Sequence, residues 1–150
     1  MSKELTKGIT EKGTAQEGKS WNILGQVYTP KACCETCFAF EALSAPGDFF
    51  PVHIHASQDK FLVVHEGLLD LKIDGEWLQA KPGDLVRLPR GIAHGFFNRS
   101  DKAVRALIWV SPAAALEALF EKLDGLKDVG EVVRLSAQYA VEFLPPEASE

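Results

Sequence analysis

Apolar and polar residues alternate with a period of two over much of the chain, which is the pattern of half-buried β-strands. In residues 34–43, Phe38 and Phe40 share one face of the predicted strand, and Glu41 lies on the other. The two aromatic rings should therefore point into a core while the carboxylate stays in water. Further strands are predicted at 21–29, 52–55, 61–66, 68–73, 76–80, 85–88, 95–98 and 104–110.

Turn sequences separate these strands at close and regular intervals. Asp74-Gly75, between 68–73 and 76–80, suits a type I′ hairpin turn. Eight or nine short strands in this arrangement predict an all-β barrel.

Helix signals lie after the last predicted strand. Ser111 is expected to cap a helix over 113–123, with Pro112 at its first position and Gly125 at its end. A second helix is predicted at 131–139.

The predicted organisation has three parts: a flexible N-terminal arm (1–20), a β-barrel (21–111), and a C-terminal helix with a docking tail (112–150). Phe143 and Pro145-Pro146 predict that the tail docks, with a partner subunit as one candidate surface. Exposed edge strands of a small barrel also favour a homodimer.

Composition narrows the class of protein. The chain has 150 residues, 46% hydrophobic and 25% charged, with a net charge of −5, which is typical of one soluble globular domain. We expect no nucleic-acid partner, because the chain lacks a basic footprint. No run approaches the roughly 18 apolar residues that span a membrane. The polar first twenty residues do not form a signal peptide, so we expect a cytoplasmic protein with no membrane partner.

Three cysteines cluster at Cys33, Cys34 and Cys37. A structural zinc site needs a second pair of ligands, and the chain has no other cysteine. A redox CxxC motif commonly opens a helix, whereas this one leads into a predicted strand. We therefore expect reduced thiols in or beside a barrel strand.

Three histidines carry the chemical signal. His53 and His55 are two residues apart, so both rings point to one face of a strand. His94 arrives from a second strand after a hairpin. Three imidazoles suit Fe, Cu, Ni, Zn and, less well, Mn, and they leave open coordination positions.

The residues around the histidines resemble the two motifs of the cupin superfamily. Gly47, His53, His55 and Gly67 match the first motif, but Lys60 stands where the family has a glutamate ligand. The second motif is matched throughout by a set of five residues: Gly83, Pro89, Gly91, His94 and Asn98.

This resemblance implies a single cupin barrel, a jelly roll or double-stranded β-helix, with a divalent transition metal (Fe, Ni, Cu, Mn or Zn) held by His53, His55 and His94. Segments 103–112 and 138–146 are also similar to quercetin 2,3-dioxygenase-like cupins. The implied activity is that of a metal-dependent, dioxygenase-like oxidoreductase acting on a small aromatic or enolic substrate. The alternative is a non-catalytic or metal-free cupin that binds a small molecule.

Lys60 replaces the glutamate ligand of the first motif, so a metal site would have to accommodate a lysine. A cation about 4 Å from a divalent metal would be repelled by roughly 8 kcal/mol at an effective dielectric near 20. Lys60 can lose its proton, or turn outward and leave a bare three-histidine site, or give way to Asp59 through a bulge. We favour the bare site, with Asp59 second. Lys60 can instead act on substrate, as an anion-binding or acid–base group, although a solvated lysine is the commoner case.

The remaining candidates have lesser roles. His65 should face away from His53, Asn98 should brace the turn near His94, and Arg87 and Arg90 should lie on the surface. Six phenylalanines are expected to line the barrel mouth or fill the core: Phe38, Phe40, Phe49, Phe50, Phe96 and Phe97.

Overall fold

The computed structural model describes residues 4–145, which form two antiparallel β-sheets and two short helices. The strands of this region are β1 (Trp21–Ile23), β2 (Gln26–Cys33), β3 (Phe38–Ser44), β4 (Phe49–His55), β5 (Asp59–Glu66), β6 (Leu69–Ile73), β7 (Glu76–Ala80), β8 (Leu85–Leu88), β9 (His94–Phe97), β10 (Val104–Ser111) and β11 (Val141–Phe143). The helices are α1 (Leu116–Leu123) and α2 (Val129–Ala137). The predicted all-β barrel with C-terminal helices is confirmed.

The two sheets face each other as a jelly roll. One has the order β1-β2-β3-β10-β5-β8, and the other has the order β11-β4-β9-β6-β7. Strands β3, β5 and β10 alternate between buried and half-buried positions, so their apolar sets meet between the sheets. The fully buried side chains include Phe38, Phe40, Leu62, Leu71 and Leu88.

Two predicted strands are interrupted by turns that alternation alone does not show. The segment 21–29 folds back at Leu24-Gly25, where both φ angles are positive (50° and 88°), so it forms β1 and part of β2. Cys34 and Cys37 exchange backbone hydrogen bonds of 2.8 and 3.3 Å, so 34–37 is a tight hairpin turn and β3 begins only at Phe38. The Asp74-Gly75 turn is confirmed, with φ angles of 50° and 83°.

The predicted start of the first helix is wrong. Ser111 belongs to β10, where its hydroxyl donates to the carbonyl oxygen of Thr36 at 2.9 Å, and α1 begins only at Leu116. The second helix is capped by Asp128, whose carboxylate accepts from the backbone N–H groups of Gly130 and Glu131.

The C-terminal elements close one end of the barrel. Phe120 of α1 packs against both Tyr28 and Phe40, with ring centroids 5.2 and 5.1 Å away. Burying such a ring contributes about 1.5–3 kcal/mol. After α2, β11 adds to the edge of the second sheet by pairing with His53–His55 of β4 in the same chain. The predicted tail thus reaches its own barrel through Phe143, while 146–150 lie outside the described residues.

The N-terminal arm touches the barrel through Lys31. The Thr10 hydroxyl donates to the Lys31 carbonyl at 2.7 Å, and the Lys31 ammonium donates to the carbonyls of Glu11 and Thr14. Neither helix within 4–145 is long and apolar enough to cross a membrane.

Candidate metal centre

Strand pairing brings the three predicted histidines together. His53 and His55 point inward from β4, and His94 of β9 is the cross-strand partner of His53. The potential ligand nitrogens of the three rings all lie within 4.8 Å of one another. All three side chains are buried. The arrangement can hold a metal ion.

Each ring is oriented by an oxygen acceptor at Nδ1. His53 Nδ1 lies 2.7 Å from the carbonyl oxygen of Pro51, and His94 Nδ1 lies 3.1 Å from that of Ile92. A carbonyl can only accept, so each Nδ1 carries the hydrogen and each Nε2 keeps its lone pair. This is the arrangement expected of histidines that bind metal through Nε2.

Gln58 orients the third ring, a role that no local sequence pattern indicates. Its amide nitrogen donates to the carbonyls of Pro112 and Ala113 at 3.0 and 2.8 Å, which fixes the side-chain oxygen as the acceptor facing His55 Nδ1 at 2.9 Å. These carbonyls precede α1, more than fifty residues away along the chain. The C-terminal cap is therefore linked directly to a candidate metal ligand.

Lys60 lies inside the site, which corrects the favoured expectation that it turns outward. It is 5% exposed, and its Nζ is 3.3 Å from His55 Nε2 and 3.5 Å from His94 Nε2. Its cross-strand neighbours Leu88 and Val110 are both buried, so the sheet register directs position 60 inward. The ammonium also lies 4.9 Å from the centre of the Phe96 ring, a favourable cation–π distance.

Burial sets the protonation of these groups. It lowers the pKa of Lys60 from 10.5 to about 7. Burial, reinforced by the Lys60 charge, lowers the pKa of His55 to about 3. Burial also holds the pKa values of His53 and His94 well below 6.5, with smaller contributions from neighbouring charges. The imidazoles are neutral at pH 7, and Lys60 can gain or lose a proton there.

The donor set fits a divalent transition metal. Three neutral imidazole nitrogens with oriented rings provide lone pairs of the type that such ions prefer. The Lys60 nitrogen lies within hydrogen-bonding distance of two of these lone pairs, so an ion there requires Lys60 to lose its proton or to move. The pKa near 7 makes loss of the proton inexpensive at neutral pH.

Asp59 does not join the histidines. Its carboxylate faces solvent and forms a two-pronged ion pair with Arg90, at 3.3 and 3.2 Å. The β5–β10 pairing does contain a register shift, but it lies near His65, at the opposite end of the strand. No bulge therefore turns Asp59 inward, and the second-ranked alternative is wrong.

The other sequence candidates lie outside the centre. His65 is exposed at the far end of β5. Asn98 braces a loop by donating to the carbonyls of Ser44 and Lys102. Phe49 and Phe97 stack on the outer side of the second sheet with centroids 6.0 Å apart, so they do not line the barrel mouth.

A small closed cavity adjoins the histidines. Its volume is about 10 Å³, and Leu116, Leu119 and Phe120 of α1 cover it. Ser136 of α2 also lines it, and this buried hydroxyl has no hydrogen-bond partner among the described residues. Sequence reasoning missed Ser136, because nothing in a helical pattern shows which turn faces a distant site.

A larger cavity of about 520 Å³ lies outside the centre, between the β1–β2 turn, β4 and the α1–α2 connection. Its lining includes Leu24, Phe49, Pro51 and Val129, but none of the three histidines. It meets the centre at Pro51, whose carbonyl holds His53. The candidate metal centre is therefore identified by the three imidazoles and not by the volume of this cavity.

Parts of the chain are similar to known proteins. Residues 40–111 match the family described as Cupin domain. The tetracenomycin polyketide synthase protein TcmJ of Streptomyces glaucescens is 31% identical over 70 residues, which are 47% of this chain and 47% of that protein. The match thus spans about half the length of that relative. Quercetin 2,3-dioxygenase of Bacillus subtilis (strain 168) is 34% identical over 56 residues, 37% of this chain and 17% of that protein.

Solved structures share the fold. KdgF from Halomonas sp. superposes with a TM-score of 0.62 at 19% identity, covering 71% of this chain and 94% of that chain. Identity at this level supports the barrel architecture alone.

Proposed function

The chain belongs to the cupin superfamily through residues 40–111, and from that premise we propose that it is a metal-dependent, dioxygenase-like oxidoreductase acting on a small aromatic or enolic compound. The single observation that carries the proposal is the convergence of three neutral, oriented imidazoles, from His53, His55 and His94, within 4.8 Å. A metal ion would bind the Nε2 lone pairs of all three rings, whereas Lys60 lies within hydrogen-bonding distance of those of His55 and His94.

Each residue has a definite task in this proposal. His53, His55 and His94 would hold the ion through Nε2, while Gln58 and two backbone carbonyls keep the rings in place. A divalent transition metal there would supply Lewis acidity and one-electron chemistry toward an enolic oxygen. Lys60 can accept the enol proton at Nζ and return it near neutral pH.

The substrate class rests on the relatives and on the surroundings of the site. The two relatives are named for a polyketide synthase and for quercetin, and polyketides and quercetin both carry enolisable oxygens. Phe40, Phe50 and Tyr28 provide an aromatic wall beside the histidines. A cavity of about 10 Å³ holds roughly one water, so entry of such a compound requires the α1–α2 cap to move.

Lys60 favours a second candidate function, a metal-free cupin that binds a small molecule. Its Nζ already donates to the lone pairs of His55 and His94 and can stand in for a metal cation. In that case the ammonium would bind an anionic or enolate oxygen, with no turnover.

The first experiment is elemental mass spectrometry of protein purified without added metal. About one transition metal per chain, lost in His94→Ala and retained in the exposed control His65→Ala, supports the oxidoreductase. Oxygen uptake with quercetin and with a simple 1,3-diketone then tests turnover, with His94→Ala as the blank. Absence of metal in the wild type, together with metal uptake by Lys60→Glu, would favour the metal-free function. Absence of metal in every variant would reject the metal site.

A further inference from the structure

The CxxC segment forms a tight turn whose two end cysteines are direct neighbours. Cys34 and Cys37 exchange both backbone hydrogen bonds, so they are a hydrogen-bonded pair of an antiparallel hairpin. Such pairs have Cα atoms about 5.5 Å apart with both side chains on one face. Disulfides span Cα distances of roughly 4.4–6.8 Å. Cys33, by contrast, pairs with the buried Phe38 and faces the other side of the hairpin.

We propose that Cys34 and Cys37 are a thiol–disulfide modification site, oxidised by a peroxide, that adjusts the segment holding the metal centre. No disulfide joins Cys34 and Cys37 in this structure. This inference does not depend on the function proposed above, because the disulfide can form whether or not the histidines bind metal.

The surroundings give the two thiols different roles. The Thr36 hydroxyl, 3.4 Å from the Cys34 sulfur, lowers the pKa of Cys34. Burial, followed by repulsion from Cys34, raises the pKa of Cys37. Cys34 is 8% exposed, and its lowered pKa makes it the thiol that attacks hydrogen peroxide and becomes a sulfenic acid, releasing one water. The Cys37 thiol then attacks that sulfur and releases a second water, so two thiols and one peroxide give one disulfide and two waters.

The turn contacts the segment that leads into the C-terminal cap. The backbone N–H of Ala113 donates to the Glu35 carbonyl at 3.2 Å, and the Ser111 hydroxyl donates to the Thr36 carbonyl. On the other side of the same segment, Ala113 and its neighbour accept from Gln58, which orients His55. Drawing the two sulfurs to about 2.05 Å changes the turn that holds Ala113.

The test treats the full reduced chain with stoichiometric hydrogen peroxide and maps the products by mass spectrometry. We expect a Cys34–Cys37 disulfide, reversed by dithiothreitol and formed equally in the matched control Cys33→Ser. Cys37→Ser should accumulate a dimedone-reactive sulfenic acid at Cys34, since its resolving thiol is gone. Persistence of thiols in the wild type, or a disulfide that includes Cys33, would overturn the assignment.

Hydrogen exchange tests the link to the cap in the metal-free protein. Loss of one ordinary hydrogen bond should accelerate exchange of the Ala113 amide roughly two- to tenfold on oxidation. Cys34→Ser should show no change with peroxide. If the disulfide forms but exchange at Ala113 is unaltered, the proposed adjustment of the cap segment is wrong.

Discussion

Replacing Lys60 by methionine should stabilise the metal-free protein by an amount that depends on pH. Burial lowers the pKa of Lys60 from 10.5 to about 7. Below pH 7 the lysine is charged in both the folded and the unfolded state, so the free energy of unfolding is reduced by the full cost of burying the ammonium. Between pH 7 and 10.5 the unfolded state binds more protons, and wild-type stability rises with pH. Above 10.5 the penalty vanishes.

The size of the effect follows from these two pKa values. Since one pKa unit corresponds to about 1.4 kcal/mol, the full penalty is about 5 kcal/mol. It is about 4 kcal/mol at pH 7 and about 2 kcal/mol at pH 9. Methionine also forfeits the contacts with His55 and His94, which costs roughly 1–3 kcal/mol at either pH. The net gain at pH 7 is therefore a few kcal/mol, and it should shrink by about 2 kcal/mol at pH 9.

Urea unfolding in the presence of a chelator, at pH 7 and pH 9, measures this difference. The control is Lys81→Met, because the Lys81 side chain is 74% exposed. We expect Lys81→Met to change the free energy of unfolding by less than about 0.5 kcal/mol at both pH values. A Lys60→Met effect that is the same at pH 7 and pH 9 would refute the argument that Lys60 is folded into a desolvated site.

Three further substitutions test neighbouring parts of the site. Gln58→Leu removes the only side-chain partner of His55 Nδ1 in the described region. It should lower the free energy of unfolding by about 1–3 kcal/mol and weaken zinc binding 10- to 100-fold. Unchanged zinc affinity in a calorimetric titration would show that the His55 ring does not need Gln58 to orient it. Ser136→Ala deletes a buried hydroxyl that has no hydrogen-bond partner within residues 4–145, so it should raise the melting temperature of the metal-free protein by roughly 2–4 °C. A lower melting temperature would indicate that the hydroxyl does form a hydrogen bond. Asp59→Asn breaks an exposed ion pair with Arg90, which solvent screens, so it should change the stability little and leave the metal stoichiometry intact. Metal loss in that variant would place Asp59 in the site after all.

The fold and the clustering of the three histidines could be predicted because they depend on short-range patterns. His53 and His55 lie on the same face because a strand has a period of two. The turns at Gly83 and Pro89 determine where the later strand that carries His94 begins. The Asp74-Gly75 hairpin likewise follows from residues that tolerate positive φ.

The orientation of Lys60 could not be predicted because two arguments conflict. Alternation along β5 places Lys60 on the same face as the buried Leu62 and Val64, whereas its charge favours water. Contacts with other strands settle the inward orientation. The neutral imidazoles accept hydrogen bonds from the Lys60 Nζ, and the lowered pKa of Lys60 limits the cost of burying its charge, because the neutral amine forms readily near pH 7. Gln58 and Ser136 were missed because their roles depend on contacts between distant segments, which no local pattern encodes.

The pairing of β11 with β4 has a consequence for how the protein is made. Without Val141–Phe143, the strand that carries His53 and His55 would be the open edge of its sheet. During synthesis the chain emerges from its N-terminus, so β4 waits for some ninety residues of further translation before that edge is covered. In the interval it presents an apolar, unpaired strand, the kind of edge that recruits other strands. Nascent chains stalled before residue 141 should therefore be the species that aggregate, and pairing of β11 with the strand that carries His53 and His55 should remove that risk.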